Sequence, residues 1–169
     1  MGIEVCHFVD LLMSLAASPI TEVEGRALRN SRRYSGDNVL ISIRFANGSQ
    51  GTISYLANGD KSFSKERLEV FGGGTVAVLE DFRRLELMRE GSKRTIRCRW
   101  RQDKGHRDEW AAFIESVRQG RGAPISFEEL VCSTLATLRI QESVATGKRL
   151  VVDTAAFIDA ALQRSSLDA

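Results

Sequence analysis

A histidine and an aspartate stand three residues apart in the apolar segment EVCHFVDLLMSLAASP, residues 4–19. At about 100° per residue, an α-helix places His7, Asp10 and Ser14 within roughly 60° of one another. The large apolar residues of the segment occupy another arc: Phe8, Leu11, Leu12 and Leu15. A carboxylate one turn from an imidazole that exchanges a proton near neutral pH suits general acid–base catalysis.

The same pair also has a structural interpretation. Burying an imidazole and a carboxylate without partners costs several kcal/mol, so buried side chains of this kind must bond to each other and to backbone, or face a wet cavity. From the residues alone, His7 and Asp10 are as consistent with a hydrogen-bonded structural pair as with a reaction centre.

Two further groups of residues favour structural roles. Gly72, Gly73 and Gly74 precede TVAVL, which has the pattern of a strand, whereas a phosphate-binding loop must open a helix; we therefore predict a hairpin turn. No complete dinucleotide fingerprint occurs, so this chain alone is not expected to hold NAD. The stripe of Arg97, Arg99 and Arg101 favours a solvated face or a protected sheet edge over nucleic-acid binding.

Composition narrows the class of protein. The 169 residues are 43% hydrophobic and 27% charged with a net charge of +2, as in an ordinary globular protein with no nucleic-acid or membrane partner implied. Cys6, Cys98 and Cys132 show no metal-ligand spacing, so we expect a reducing, cytoplasmic location and no metal site. His106 precedes a helix as an ordinary loop or helix-start residue, with a catalytic role the less favoured alternative.

The elements that must position these residues follow from periodicity. A first helix runs to Ser18-Pro19, residues 20–30 form a strand, and Asn47-Gly48 joins two alternating strands in a hairpin. Four short strands follow between residues 67 and 101, then a helix to about Gly120 and a second to Gly147 that opens with the capping box Ser126–Glu129. A short strand, RLVVD, and a helix over 153–164 end the chain.

This order predicts an α+β fold: an open, predominantly antiparallel sheet of six to seven strands with helices packed on one face. We expect residues 1–169 to form a single domain. Because the helical pattern begins within a few residues of Met1-Gly2, we also expect an element to precede it.

Five segments together resemble the C-terminal domain of the Gfo/Idh/MocA oxidoreductases, which include inositol and sugar dehydrogenases. They are CHFVDLL, FANGSQGTISY, KERLEVFG, GHRDEWAAFIESVRQG and ATLRIQESVATGKRLVV. The resemblance covers about residues 3–152. It implies a substrate-binding and oligomerisation domain whose NAD or NADP, together with a catalytic lysine, belongs to a Rossmann domain joined in cis or acting in trans.

The resemblance also implies roles for particular residues. His7 and Asp10 match an HxxD motif whose histidine moves the proton of a sugar or cyclitol hydroxyl while hydride passes to the nicotinamide. The acidic residue that often stands four before this histidine is replaced by Ile3, and Glu4 is one residue out of register. Tyr55 and Lys61 are the expected substrate contacts. A homodimer through the open sheet face is implied as well; the alternative function is a non-catalytic dimerisation or assembly module that docks on a separate Rossmann subunit.

Overall fold

The computed structural model describes residues 5–28, 38–60, 62–98 and 104–167, and the predicted Lys61 contact lies outside these ranges. Four helices and eight strands follow one another along the chain. They are α1 (Val5–Ala16), β1 (Ile20–Ala27), β2 (Asn38–Phe45), β3 (Gln50–Leu56), β4 (Arg67–Gly72), β5 (Thr75–Glu80), β6 (Arg84–Arg89), β7 (Ser92–Arg97), α2 (His106–Arg118), α3 (Phe127–Thr146), β8 (Leu150–Val151) and α4 (Thr154–Leu167).

The α+β class is confirmed, but the prediction of one sheet with six to seven strands is wrong. The eight strands form two four-stranded antiparallel sheets, ordered β3-β2-β1-β8 and β4-β5-β6-β7. The polar, turn-rich segment after β3 ends the first sheet, and the following meander pairs only with itself. The first sheet is instead completed by β8, which returns to β1 from the far end of the sequence.

The chain divides into two compact units, residues 1–58 with 125–169 and residues 59–124. In the first unit, β2 alternates buried and exposed residues, as expected for a sheet covered on one face. The inward side chains of this sheet meet α1 and α3 in one core. It contains Val5, Val9, Met13, Ile20, Val23, Val39, Ile41, Ile43, Phe45, Ile53, Cys132, Leu135, Ala136, Ile140 and Val152.

The core-facing arc of α1 differs from the predicted arc of leucines. Val5, Val9 and Met13, at successive i+4 positions, are buried, while Leu15 is 49% exposed. Phe8 and Leu12 pack at the border of the buried arc. Because α1 is apolar over most of its circumference, periodicity predicted the helix without selecting its central buried line.

The predicted capping box, the end of α3 at Gly147 and the two glycine-containing hairpin turns are confirmed, whereas the last helix, predicted over 153–164, runs to Leu167. Ser126 Oγ accepts a hydrogen bond from the Glu129 N–H at 3.2 Å, and Glu129 Oε2 accepts one from the Ser126 N–H at 2.9 Å, which completes the capping box. Gly147 ends α3 with φ of 68°. Gly48 has φ of 87° in the β2–β3 hairpin, while Gly73 and Gly74 form the turn between β4 and β5.

The second unit is a four-stranded meander with chemically different faces. Cross-strand pairing places one apolar set on the same face: Leu68, Val70, Ala77, Leu79, Leu85, Leu87 and Ile96. The other face carries a network of ion pairs that spans all four strands: Arg67–Glu80, Arg84–Glu80, Arg84–Glu86 and Lys93–Glu86. Among the described residues of this unit, only Ser116 is buried.

Because the chain divides into two compact units, the single-domain organisation stays a prediction. Across the described ranges, every helix is too short or too polar to cross a membrane.

Candidate functional site

Two hydrogen bonds fix the direction of α1 relative to β3. At the end of the helix, the Asn47 side-chain amide donates to the Ala16 carbonyl at 2.9 Å, and the Asn47 N–H donates to Ser18 Oγ at 3.1 Å. Further along, a Cβ on Gly51 would lie 3.0 Å from Leu12 Cδ1. From the β2–β3 hairpin onward, β3 therefore runs back along α1 towards the helix N-terminus, where His7 lies.

The His7, Asp10 and Ser14 side chains are all exposed. They lie on the side of α1 opposite the buried residues Val5, Val9 and Met13. Because neither the imidazole nor the carboxylate is buried, there is no desolvation cost to be met by a structural pairing. The interpretation of His7 and Asp10 as a buried structural pair therefore does not apply. Both groups are accessible to a small molecule or to a second domain.

His7 and Asp10 are not bonded to each other. Within the described ranges, neither side chain forms a hydrogen bond or an ion pair with any other residue. One turn of helix separates them, a spacing at which side chains can meet by rotation about their χ angles. The helix therefore presents a proton-exchanging group with a carboxylate within reach, rather than a preformed acid–base dyad.

Tyr55 lies at the same end of the first unit as His7. It is half-buried, points to the helical side of β3, and packs against the core beneath α1. In the sheet it stands opposite Val39. The antiparallel run of β3 and α1 thus places Tyr55 and His7, 48 positions apart in the sequence, at the same end of the first unit, with Tyr55 on the core side of α1 and His7 on its exposed side.

Asn38 is a residue of this end that the sequence analysis did not identify. It is 8% exposed at the start of β2, opposite Leu56, and its Oδ1 accepts a hydrogen bond from the Asn58 N–H at 3.2 Å. This bond fixes the chain at Asn58, two residues after the Asn38–Leu56 strand pair, where the chain leaves β3. A strand-opening asparagine is a common turn signal, and only the strand register shows its partner.

In the second unit, Asp60 and Ser62, which flank Lys61 in the sequence, are joined by two hydrogen bonds. Asp60 Oδ1 accepts hydrogen bonds from the Ser62 N–H at 2.9 Å and from the Ser62 hydroxyl at 2.7 Å. These bonds to Ser62 favour the carboxylate and hold the pKa of Asp60 below its ordinary value. The position of Lys61 relative to the other predicted site residues stays a prediction.

The remaining candidate residues lie at positions where ordinary structural roles account for them. The three glycines close a hairpin, so their backbone does not form the phosphate cradle of a helix N-terminus. Arg97 lies on the charged face of the meander, while Arg99 and Arg101 fall outside the described residues. His106, the first residue of α2, is exposed with its Nδ1 3.8 Å from Glu109 Oε2.

No set of three or more metal-ligand side chains comes together in the described parts of the chain. Cys6, Cys98 and Cys132 are not joined by disulfide bonds. Cys132 is buried beside the Ile20 carbonyl, its Sγ lying 3.9 Å from that oxygen.

Comparisons with known proteins show a shared fold. No family model and no curated protein matches the sequence. Among solved structures, levoglucosan dehydrogenase in complex with NADH aligns over 90% of this chain and 50% of its own, with a TM-score of 0.72 and 19% identity. An Agrobacterium radiobacter oxidoreductase in complex with NAD+, L-tartaric acid and magnesium aligns over 87% of this chain and 47% of its own, with a TM-score of 0.71 and 14% identity.

An aldose–aldose oxidoreductase from Caulobacter crescentus has a TM-score of 0.66 at 11% identity, covering 86% of this chain and 45% of its own. The chain thus spans about half the length of the structures that it matches. At these identities the likeness establishes the fold.

Proposed function

We propose that this chain is the substrate-binding and oligomerisation domain of an NAD(P)-dependent oxidoreductase of the Gfo/Idh/MocA type, acting on a hydroxyl of a sugar or cyclitol. One observation carries the proposal: His7 and Asp10 are exposed at the end of the first unit where Tyr55 also lies. The fold shared with NAD-binding oxidoreductases supports it.

In this proposal His7 accepts the proton of the substrate hydroxyl while the hydrogen on the same carbon leaves as hydride. The nicotinamide supplies the hydride acceptor when it is bound. Asp10, one turn along the helix, supports the imidazolium that forms, and Tyr55 and Lys61 contact the substrate. The role of His7 requires that its imidazole be accessible to the substrate, and the side chain is exposed.

The described residues do not suit a dinucleotide. Their glycine cluster forms a hairpin between β4 and β5, and neither α2 nor α3 opens from a glycine-rich strand–turn. The coenzyme is therefore assigned to a Rossmann domain, in cis or in trans. Titration of the isolated chain with NADH, followed by fluorescence, checks this assignment, and micromolar binding would contradict it.

The catalytic role of His7 is tested by substitution in the protein that includes the dinucleotide-binding half. With a panel of sugars and cyclitols, NAD(P)+ reduction by the His7→Ala variant should fall by about 10²- to 10⁴-fold, as expected for loss of a general acid–base group. Ser14→Ala is the matched control because Ser14 is exposed on the same stripe, two turns along. Turnover of His7→Ala within about threefold of wild type would remove His7 from the mechanism.

A second candidate function, a non-catalytic dimerisation module, is favoured by the meander. Its apolar face has seven aliphatic side chains and not one of them is fully buried, although a sheet needs a covering layer to be stable. We propose a second copy as that layer, because an isologous interface matches identical apolar faces. The ion-paired face is the less suitable contact, since burial would desolvate its charges.

Sedimentation velocity tests the dimer. Leu87→Glu places a charge on the apolar face and should convert dimers to monomers, whereas Thr95→Glu, on the ion-paired face, should leave them intact. A wild-type chain that is monomeric at high concentration would contradict the homodimer. Dimerisation of a complete protein that reduces no coenzyme would instead favour the non-catalytic module.

A further inference from the structure

Asn38 joins three strand ends at the end of the first unit where His7 and Tyr55 lie. Its backbone carbonyl accepts a hydrogen bond from the Leu28 N–H at 2.9 Å, just past the end of β1. Its side-chain Oδ1 accepts the bond from the Asn58 N–H at 3.2 Å, past the end of β3. The ends of β1, β2 and β3 are therefore tied together at one residue.

The burial of Asn38 is not what its position in β2 predicts. Strand alternation places it on the same side as Leu40 and Ser42, which are exposed, yet Asn38 is only 8% exposed. Burial removes its amide group from water at a free-energy cost that hydrogen bonds must offset. Any residue can accept the backbone bond from Leu28, so the bond from the Asn58 N–H is what an asparagine adds at this position.

The residue held by this bond has an exposed side chain. Asn58 is three residues after Tyr55, in the direction in which β3 runs towards the N-terminus of α1. The bond to Asn38 fixes the backbone from which the Asn58 carboxamide extends. A carboxamide has two donors and one acceptor oxygen and carries no charge, a combination that matches hydroxyl groups, each of which both donates and accepts.

Resting on the proposed function, we infer that Asn58 is a further substrate-binding residue, hydrogen-bonded to a hydroxyl of the sugar or cyclitol, and that Asn38 is the positioning residue that holds it. Asn58 lies beyond the end of β3, and His7 lies in the first turn of α1 at the same end of the unit. A neutral amide takes no part in proton transfer. Its loss therefore weakens substrate binding and leaves the chemical step nearly unchanged.

Steady-state kinetics of the complete protein with D-glucose, D-xylose and myo-inositol test the inference. Asn58→Ala should raise KM about three- to tenfold, as for one lost neutral hydrogen bond, and leave kcat within about twofold of wild type. Asn38→Leu should raise KM by a similar factor. Gln50→Ala is the matched control, because it removes an exposed carboxamide at the opposite end of β3 and should leave KM unchanged.

The double variant distinguishes positioning from a general structural role. If Asn38 acts through Asn58, Asn38→Leu should add nothing to KM in the Asn58→Ala background. Equal effects of Asn38→Leu in both backgrounds would refute the positioning role. Hydrogen exchange of the 169-residue chain by NMR gives a readout without turnover: the Asn58 N–H should exchange several-fold faster in Asn38→Leu, and an unchanged rate would also refute that role.

The outcome for Asn58→Ala separates this inference from the proposed function. If its KM stays within about twofold of wild type while His7→Ala abolishes turnover, the assignment of Asn58 is wrong and the function stands. A complete protein that oxidises no sugar or cyclitol removes both.

Discussion

Gly25 is the position at which the packing of α3 on the first sheet is most sensitive to one added carbon. A Cβ built there would lie 2.7 Å from Val144 Cγ2 and 3.1 Å from the carbonyl oxygen of Ile140. The valine methyl can move by rotation, but the carbonyl is part of the α3 backbone. Gly25→Ala must therefore shift the helix away from β1, and we expect a lower free energy of unfolding.

The magnitude follows from two opposing terms. Overpacking of a core commonly costs about 1–3 kcal/mol, and a clash with both side chain and backbone belongs at the upper end. Replacing glycine by alanine within a strand also stabilises the folded protein by about 0.5–1 kcal/mol, because the unfolded chain then has less conformational entropy to lose. The net loss should be about 2 kcal/mol, which for a protein of this length lowers the Tm by about 4–8 °C.

Gly51→Ala is the matched control in the same sheet. Its Cβ would meet the tip of Leu12 at 3.0 Å, and that flexible side chain can turn away. Urea and thermal unfolding followed by circular dichroism should place Gly51→Ala within about 0.5 kcal/mol of wild type. If Gly25→Ala is no less stable than Gly51→Ala, then α3 does not pack on β1 as closely as the structure shows.

Val144→Ala supplies a second check on Gly25→Ala because it removes the methyl group nearest to the added carbon. The double variant should be more stable than the sum of the two single losses predicts, since the residues share one contact. Strict additivity would mean that the 2.7 Å contact is not the source of the loss.

Three further predictions concern single hydrogen-bonded groups. Ser143→Ala removes a fully buried hydroxyl that joins two backbone groups, and should cost about 1–3 kcal/mol in urea unfolding. Ser126→Ala removes the N-cap of α3 and should cost about 1 kcal/mol by the same measurement, with Gly as a milder replacement than Ala. Hydrogen bonds from Lys93 and Arg84 lower the pKa of Glu86 in the folded protein, so its contribution is present above the unfolded pKa and is lost as the pH falls through the folded value. Glu86→Gln should therefore reduce the difference in stability measured between about pH 7 and about pH 3.5, and an unchanged difference would contradict the pairing.

Local chemistry was sufficient to predict turns and helix ends but not the division of strands between sheets. Asn47-Gly48, the Gly73-Gly74 turn and the Ser126 capping box each depend on neighbouring residues, and each is present. The return of β8 to β1 depends on contacts distant in sequence, which strand periodicity does not encode. Alternation therefore predicted the number and direction of most strands while giving the wrong number of sheets.

The candidate site shows the same limit. Helical spacing correctly placed His7 and Asp10 on one stripe, because the relation between them is local to α1. Tyr55 reaches the same end only through the β2–β3 hairpin and the antiparallel run of β3 along the helix. Asn38 was missed because its partner, the Asn58 N–H, is identified by strand register.

The exposure of His7 and Asp10 excludes the buried structural pair, one of the two interpretations that the sequence left open. A buried pair would have to be explained by internal bonding, whereas an exposed pair needs no structural explanation because water satisfies both groups. The choice is therefore between a solvated helix face and a surface completed by another domain. The proposed dehydrogenase function takes the second alternative, and turnover of the His7→Ala variant decides between the two, because a solvated histidine outside a reaction centre can be replaced without loss of activity.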